Sequence, residues 1–310
     1  MRMRIGILTT GNDEEEDNRL VNSAKAQGHD AKLLHVTKCS LTVCSNTPEI
    51  YYEGSPISQI FDVIIPRIDT AHTEYGLAVL RQFQSMHIFT SDNAYALKLG
   101  RDKLRCTQRL LKEEVPFPTT GFAYSNEDFD NIIKTVGGVP LVIKLIEGTE
   151  GVGVFLADDM KHAVNLLKTF KKLSTPLIVQ KFIEESAGTD IRAFVVGGEI
   201  IACMERKSSD GDFRANIALG GHSKAITLSE EEKNIALKAT QAIGINIAGV
   251  DLIRSHSGTL VIEINTSPDF GGQWGLESIS KVDVAGAIIK FAVNEARNSF
   301  RGNRILKQAS

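Results

Sequence analysis

Between Ala248 and Pro268 two aliphatic runs, AGVDLIRS and TLVIEINTSP, are joined through His256, Ser257 and Gly258. Their period of two is a strand signal, and a short glycine-containing link between two such runs is a hairpin signal. If His256 to Gly258 form a three-residue loop with Gly258 in the left-handed position, Asp251 stands opposite Glu263. The same register sets Val250 opposite Ile264 and Leu252 opposite Ile262. One face is then wholly aliphatic, while Asp251, Glu263 and Asn265 share the other, and a slip of one residue would mix the two. Facing carboxylates repel, and a partly buried charge needs a partner, so the register asks for a cation. Oxygen donors without Cys or His suit magnesium or manganese, and magnesium usually completes its shell with water and substrate phosphates. The hairpin therefore points to a nucleotide. The alternative at this point is an exposed hairpin whose polar face meets solvent. On the metal reading, removing one of the facing carboxylates is expected to leave the metal-free fold equally stable or more so.

A phosphate site is sought in VIKLIEGTEGVGV, where Lys144 sits in an apolar strand ahead of Gly148, Gly151 and Gly153. The lysine precedes the glycines and no helix follows, so neither the Walker nor the Rossmann arrangement fits. A glycine-rich loop between strands can still fold over phosphates, because no Cβ obstructs its N–H groups. Flanking aliphatics predict that Lys144 is partly buried and needs an anion; the alternative is a hairpin lysine whose head reaches solvent. Lys103, Arg206 and Arg214 are further candidate cations, each readable as a solvated surface charge.

The 310 residues suffice for two or three compact units, and 42% apolar with 24% charged residues is ordinary for a globular chain. A formal charge of -3 argues against a general nucleic-acid or membrane binder. Cys39, Cys44, Cys106 and Cys203 form no zinc-type spacing or dense disulfide framework, which fits a reducing cytoplasm. The run IGIL is too short for a signal-peptide core, so a cytoplasmic location is expected.

Along the chain, RIGILTT, AKLLHV and FDVIIPRI alternate with helical stretches near 18–27 and 74–86, which implies a parallel sheet. RDKLRCTQRLLKEE reads as an amphipathic helix closed by the prolines of VPFPTTG. Strands PLVIKLI, VFLA and PLIVQKFIE follow, with a helix near 161–173. IRAFVVGGEIIACMER predicts a hairpin turning at Gly197-Gly198, and Ser229 with Glu232 predicts a capping box. The polar, basic residues 296–310 read as a loose tail.

Lys144 with its glycine loop and the Asp251, Glu263 and Asn265 hairpin together resemble an ATP-grasp enzyme. FDVIIPRIDTA, YGLAVLRQF, RDKLR, VGGVPLVIKLIEGTEGVGV, DIRAFVVGGEIIA, GDFRANI, and AGVDLIR through EINTSP resemble the RimK-type alpha-L-glutamate ligases over residues 4 to about 295. The resemblance implies an α/β (α+β overall) ATP-grasp fold with an N-terminal parallel-sheet pre-ATP-grasp domain. Its expected divisions are residues 1–95, a central subdomain 96–182 with the glycine loop, a subdomain 183–295 with the metal hairpin, and the tail. It implies ATP as co-substrate, with Lys103 and Lys144 on phosphates under the loop of Gly148, Gly151 and Gly153. Lys181 and Phe182 are expected at adenine, Asp190 near the ribose, and Arg214, Ala215 and Asn216 facing phosphate and substrate. Arg206, Arg214 and Asn216 are the expected catalytic residues, and Asp251, Glu263 and Asn265 the ligands of two Mg2+ or Mn2+ ions.

The implied reaction is ATP-dependent amide formation through an acyl phosphate, with L-glutamate as amine and an acceptor carboxylate. The preferred acceptor is the C-terminus of ribosomal small-subunit protein six, and poly-alpha-glutamate synthesis is also implied. A ligase for a small-molecule or carrier-protein carboxylate and a non-catalytic nucleotide-binding regulator are the alternatives; intact metal ligands and phosphate lysines argue against the regulator. A homo-oligomer without membrane or direct nucleic-acid contact is expected. The chain departs from the family pattern at Lys181, where an acidic residue is common, and over 269–283, which includes Trp274 and is expected to touch the acceptor.

Overall fold

The computed structural model describes residues 1–124, 128–148, 151–209, 211–215, 221–273 and 275–308. The chain opens with β1 (Arg4–Thr9), α1 (Glu14–Ala26), β2 (Asp30–His35), β3 (Cys39–Thr42), β4 (Glu49–Tyr52), β5 (Ser55–Pro56), β6 (Val63–Arg67), α2 (Thr73–Ser85) and β7 (Phe89–Thr90). Strands β2-β1-β6-β7 pair in parallel, as the alternation of strands and helices requires. β1 is buried on both faces from Ile5 onward, which a parallel sheet covered on both sides demands. Asp13 caps α1 by accepting from the Glu16 amide, and four acidic residues in the first turn suit the positive end of that helix. The antiparallel sheet β3-β4-β5 adds to the expected elements.

Two helices, α3 (Ala94–Arg101) and α4 (Lys103–Lys112), lead into β8 (Thr120–Gly121), α5 (Phe129–Thr135), β9 (Leu141–Leu145), β10 (Val154–Ala157), α6 (Met160–Lys172) and β11 (Leu177–Lys181). Here the sheet order is β10-β9-β11-β8 and every pairing is antiparallel. Next come β12 (Thr189–Val196), β13 (Glu199–Lys207), β14 (His222–Ala225), α7 (Glu230–Ile243), β15 (Ile247–Ser255), β16 (Gly258–Asn265), α8 (Leu276–Ser280) and α9 (Val284–Gln308). These strands form an antiparallel sheet in the order β14-β13-β12-β15-β16. Gly197 and Gly198 turn the β12–β13 hairpin with φ of 61° and 80°, and the Ser229–Glu232 capping box starts α7. The expected loose tail is instead the continuation of α9. Phe300 packs against the apolar cluster under that helix, and Arg297 donates to the Met1 carbonyl at 2.7 Å, so the helix is held where a polar tail would have been released.

Two apolar clusters run between the parallel sheet and the five-stranded sheet. One joins Leu8, Ile64 and Leu97 to Ala239, Val250 and Ile264; the other joins Ile5, Ile7 and Val63 to Phe194, Phe270 and Ile288. The four-stranded sheet has its own cluster under α5 and α6, around Ile133, Leu141, Ile143 and Leu167. Gly100 allows α3 to lie against the exit of β16: a Cβ there would sit 2.4 Å from Thr266 Cγ2. Among the described residues no helix is long and apolar enough to cross a membrane.

Candidate active site

The hairpin of β15 and β16 keeps the expected pairs Asp251–Glu263 and Val250–Ile264, but by a different route. Its turn has two residues, His256 and Ser257, because Ser255 pairs with Gly258, and Leu252 pairs with Val261 rather than Ile262. A bulge then absorbs Ile262 and restores the register at Asp251. Such bulges re-aim side chains and gather beside active sites. Val250, Leu252 and Ile264 enter the core beside α7, and Asp251, Glu263 and Asn265 line a cleft of about 340 Å³.

The repulsion expected between the carboxylates is answered first by the protein's own cations. Arg192, opposite Asp251 across β12 and β15, donates Nε to Oδ1 and Nη2 to Oδ2, both at 2.8 Å. Arg206 lies 2.9 Å from the same Oδ2 and grips Asp190, its cross-strand partner, with bonds of 2.7 and 2.6 Å. Asn265 Nδ2 donates to Asp251 Oδ2 at 3.1 Å. Burial pushes the Asp251 carboxyl up, but Arg192 and Arg206 outweigh it and hold it at about 2. Burial and the Asp251 charge raise Asp190 despite Arg206. Glu263, with its side chain 33% exposed, is 3.1 Å from Lys103 Nζ.

The opposite wall carries the phosphate candidates. Lys144, in β9 between Val154 of β10 and Ile178 of β11, is buried. Burial lowers it to about 8, with Lys103 acting in the same sense and Glu263 and Asp251 opposing. Gly151 and Gly153 have φ of 76° and 75°, and a Cβ on Gly153 would fall 2.3 Å from Leu145 Cδ1, so the loop can take this path only with glycine there. Lys103 donates to the Gly148 carbonyl at 2.9 Å and Arg214 Nη1 to the Gly151 carbonyl at 3.1 Å. Arg214 also pairs with Asp212 at 2.7 Å and lies over the Phe213 ring. Phe182 meets Phe213 edge-on at 6.2 Å, while Lys181 is exposed and its amide donates to the Thr119 carbonyl.

One cleft thus gathers Lys103, Lys144, Gly148, Gly151, Lys181, Phe182, Asp190, Arg206, Arg214, Ala215, Asp251, Glu263 and Asn265. Gly153 shapes the loop without lining the cleft, and Asn216 and Trp274 lie outside the described residues. Of the described residues in 269–283, Asp269 alone lines it. Phe270 and Leu276 are fully buried, and Glu16 accepts from the amides of Phe270 and Gly271 while pairing with Arg67 at 2.6 Å. The described part of that segment is therefore anchored between the N-terminal sheet and the five-stranded sheet, with Asp269 on the cleft. Sequence reading missed Arg192, Gln180 and Arg101, all on the lining. Alternation along DIRAF puts Arg192 on the face of Asp190 and was the available signal; Arg101, which donates to the Asp69 carbonyl and Thr73 Oγ1, gave none.

Asp251, Glu263 and Asn265 fit a hard divalent cation. Asn265 spends its Nδ2 on Asp251 and keeps its Oδ1, Asp251 Oδ1 takes a single arginine bond, and Glu263, paired with Lys103 through Oε1, is still one-third exposed.

The family model described as the RimK-like ATP-grasp domain matches residues 100–292, and that of the RimK PreATP-grasp domain matches residues 3–97. A protein of Nitrosococcus oceani named "Probable alpha-L-glutamate ligase" is 41% identical over 300 residues, covering 97% of each chain. The fold is similar to that of a RimK domain ATP-grasp protein from Sphaerobacter thermophilus, with a TM-score of 0.71 and 20% identity over 94% of this chain and 99% of that one. It is also similar to the ATP-grasp ligase PsnB complexed with minimal precursor, Mg and ADP, with a TM-score of 0.72 and 16% identity over 94% of this chain and 97% of that one.

Proposed function

Because the chain belongs to the RimK-like ATP-grasp family of ATP-dependent ligases, we propose that it joins L-glutamate to a peptide C-terminal carboxylate, that of ribosomal small-subunit protein six or of a growing poly-alpha-glutamate chain. The observation that carries this reading is the buried cation of Lys144 opening into the same cleft as the oxygen face of the β15–β16 hairpin. The name borne by the relative supports glutamate as the amine.

In this reading an acceptor carboxylate oxygen attacks the γ-phosphorus of ATP, the bond to the bridging oxygen breaks, and ADP leaves an acyl phosphate. The glutamate amine then attacks the acyl carbon, loses a proton, and expels phosphate to form the amide. Phosphoryl transfer asks a protein for position and charge neutralisation rather than a nucleophile. Lys144, Lys103 and Arg214 supply positive charge beneath the glycine loop, and Phe182 offers an apolar ring to the base. Arg206, fixed by Asp190 and Asp251, presents a rigid guanidinium beside the reacting carboxylate. Asp251, Glu263 and Asn265 would hold divalent metal ions, which when bound shield phosphate charge.

Incubation with ATP, Mg2+, glutamate and candidate acceptor peptides tests the proposal. ADP release that requires both glutamate and a peptide, with the glutamylated peptide seen by mass spectrometry, is the expected result. ADP release indifferent to glutamate, or an amide formed with a different amine, overturns it.

A further inference from the structure

The metal-ligand face is already occupied by internal cations. Lys103 Nζ bridges Glu263 Oε1 at 3.1 Å and the Gly148 carbonyl at 2.9 Å, so one ammonium ties the hairpin of β15 and β16 to the glycine loop. The start of α4 is fixed by Asp102, which accepts from the Arg105 amide, and by the Lys103 amide on the Ile146 carbonyl. The Lys103 backbone is thereby pinned while its four-carbon stem can swing. Among the described residues nearest this point, three carboxylates, Asp190, Asp251 and Glu263, face four cations, Lys103, Lys144, Arg192 and Arg206, which leaves this group with one positive charge in excess. A bare divalent ion entering this cluster meets net repulsion and must evict Lys103 from Glu263. A nucleotide polyphosphate reverses the sign of the cluster and offers Lys103 a stronger, charge-assisted partner.

We infer that Lys103 is a stand-in cation at the metal site, holding Glu263 until nucleotide phosphates draw it away, so that divalent metal enters with the nucleotide and not before it. The inference rests on the reading of Asp251, Glu263 and Asn265 as the metal donors and adds the order in which the site fills. Lys103 acts here as a positioning residue for Glu263 in addition to the phosphate contact expected of it.

The probe is Mn2+ alone, titrated into the full chain without nucleotide and followed by electron paramagnetic resonance. Lys103→Met is expected to tighten Mn2+ binding about tenfold over the unsubstituted protein, a coupling of ordinary size. Lys103→Arg, which keeps the charge, is expected to stay close to the unsubstituted protein. Glu263→Gln added to Lys103→Met should erase the gain. If Lys103→Met does not fold, as judged by circular dichroism, Lys103→Gln replaces it with the same expectation. A charge-removing variant that binds Mn2+ no more tightly than the unsubstituted protein overturns the inference. Mn2+ titration with a non-hydrolysable ATP analogue then separates the two claims: weakening of the ternary complex by Asn265→Ala keeps the donor reading when Lys103→Met has failed, and its absence removes both.

Discussion

The two walls of the cleft neutralise charge in different ways. On the five-stranded sheet, Asp190, Arg206, Asp251 and Arg192 form a continuous chain of short ion pairs across β13, β12 and β15, and the strands beneath share cores with the N-terminal sheet. On the four-stranded sheet, with its separate core, Lys144 is buried facing carboxylates that other cations already hold: Glu263 by Lys103, Asp251 by two arginines. One wall is held by its own ion pairs before anything binds, and, among the described residues, the other carries a buried cation outside any ion pair. Buried pairs lose most when one member is removed, whereas a buried cation without a partner costs stability by being present. Substitutions on the two walls should therefore move stability in opposite directions while both damage nucleotide use.

The largest effect is expected from Asp251→Asn. It strands the half-buried guanidinium of Arg192 and takes from Arg206 one of the two carboxylates that hold it, and the nucleotide-free protein should lose about 3–5 kcal/mol in urea unfolding. This reverses the expectation drawn from two facing carboxylates, because the relief of repulsion from Glu263 is smaller than the loss of two charge-assisted pairs. The Asp251 carboxyl is held below its ordinary 3.8, so its contribution is present above about pH 4 and is lost as pH falls through about 2. The variant should lack that acid limb. Unchanged unfolding midpoints at neutral pH would show that the arginine network is not what holds this wall.

On the other wall Lys144→Met should raise nucleotide-free stability, on the order of 1–3 kcal/mol, since the buried ammonium no longer has to be desolvated. The lysine is lowered from 10.5 to about 8, so in the unsubstituted protein its cost is full below pH 8 and fades as pH rises toward 10.5. The stability gap between variant and parent should close over that interval. ATP affinity should fall by about tenfold or more, as expected for a lost charge-assisted contact. A variant less stable than its parent at pH 7 would mean that the lysine is already satisfied without a nucleotide.

Much of the ion-paired wall was written in the sequence only in part. Period-two alternation placed Asp251, Glu263 and Asn265 on one face and Val250 and Ile264 on the other, because a strand has no other way to use that pattern. The two-residue turn and the Ile262 bulge were not legible: two opposite one-residue errors cancel at Asp251, and pattern alone cannot locate where a ladder takes up an extra residue. Arg192 was missed for a related reason, since its partner is set by how β12 registers on β15 more than fifty residues later. Lys144 was easier, as an ion flanked by aliphatics inside one strand reveals its burial locally. The helical course at residues 296–300 was the reverse case, set by a docking surface that polar composition does not show.

The smallest effect should come from Lys181→Ala, at the position where the sequence resemblance led to the expectation of an acidic residue. Lys181 ends β11 on the wall of Lys144, but it is exposed and its stem runs beside Gly137 in solvent. Its backbone is fixed independently of its side chain, by pairing with Leu141 and by the amide bond to the Thr119 carbonyl at 2.8 Å. An adenine read by the backbone of this hinge would find the same geometry with alanine in place. An exposed ammonium also contributes little to binding through solvent, so the ATP dissociation constant should change by less than about threefold. Stability should stay within about 0.5 kcal/mol, as for an ordinary surface substitution. A tenfold loss of ATP affinity would place the Lys181 side chain on the nucleotide and give this wall a second cation that waits for an anion, which would extend the contrast between the walls from the phosphates to the base.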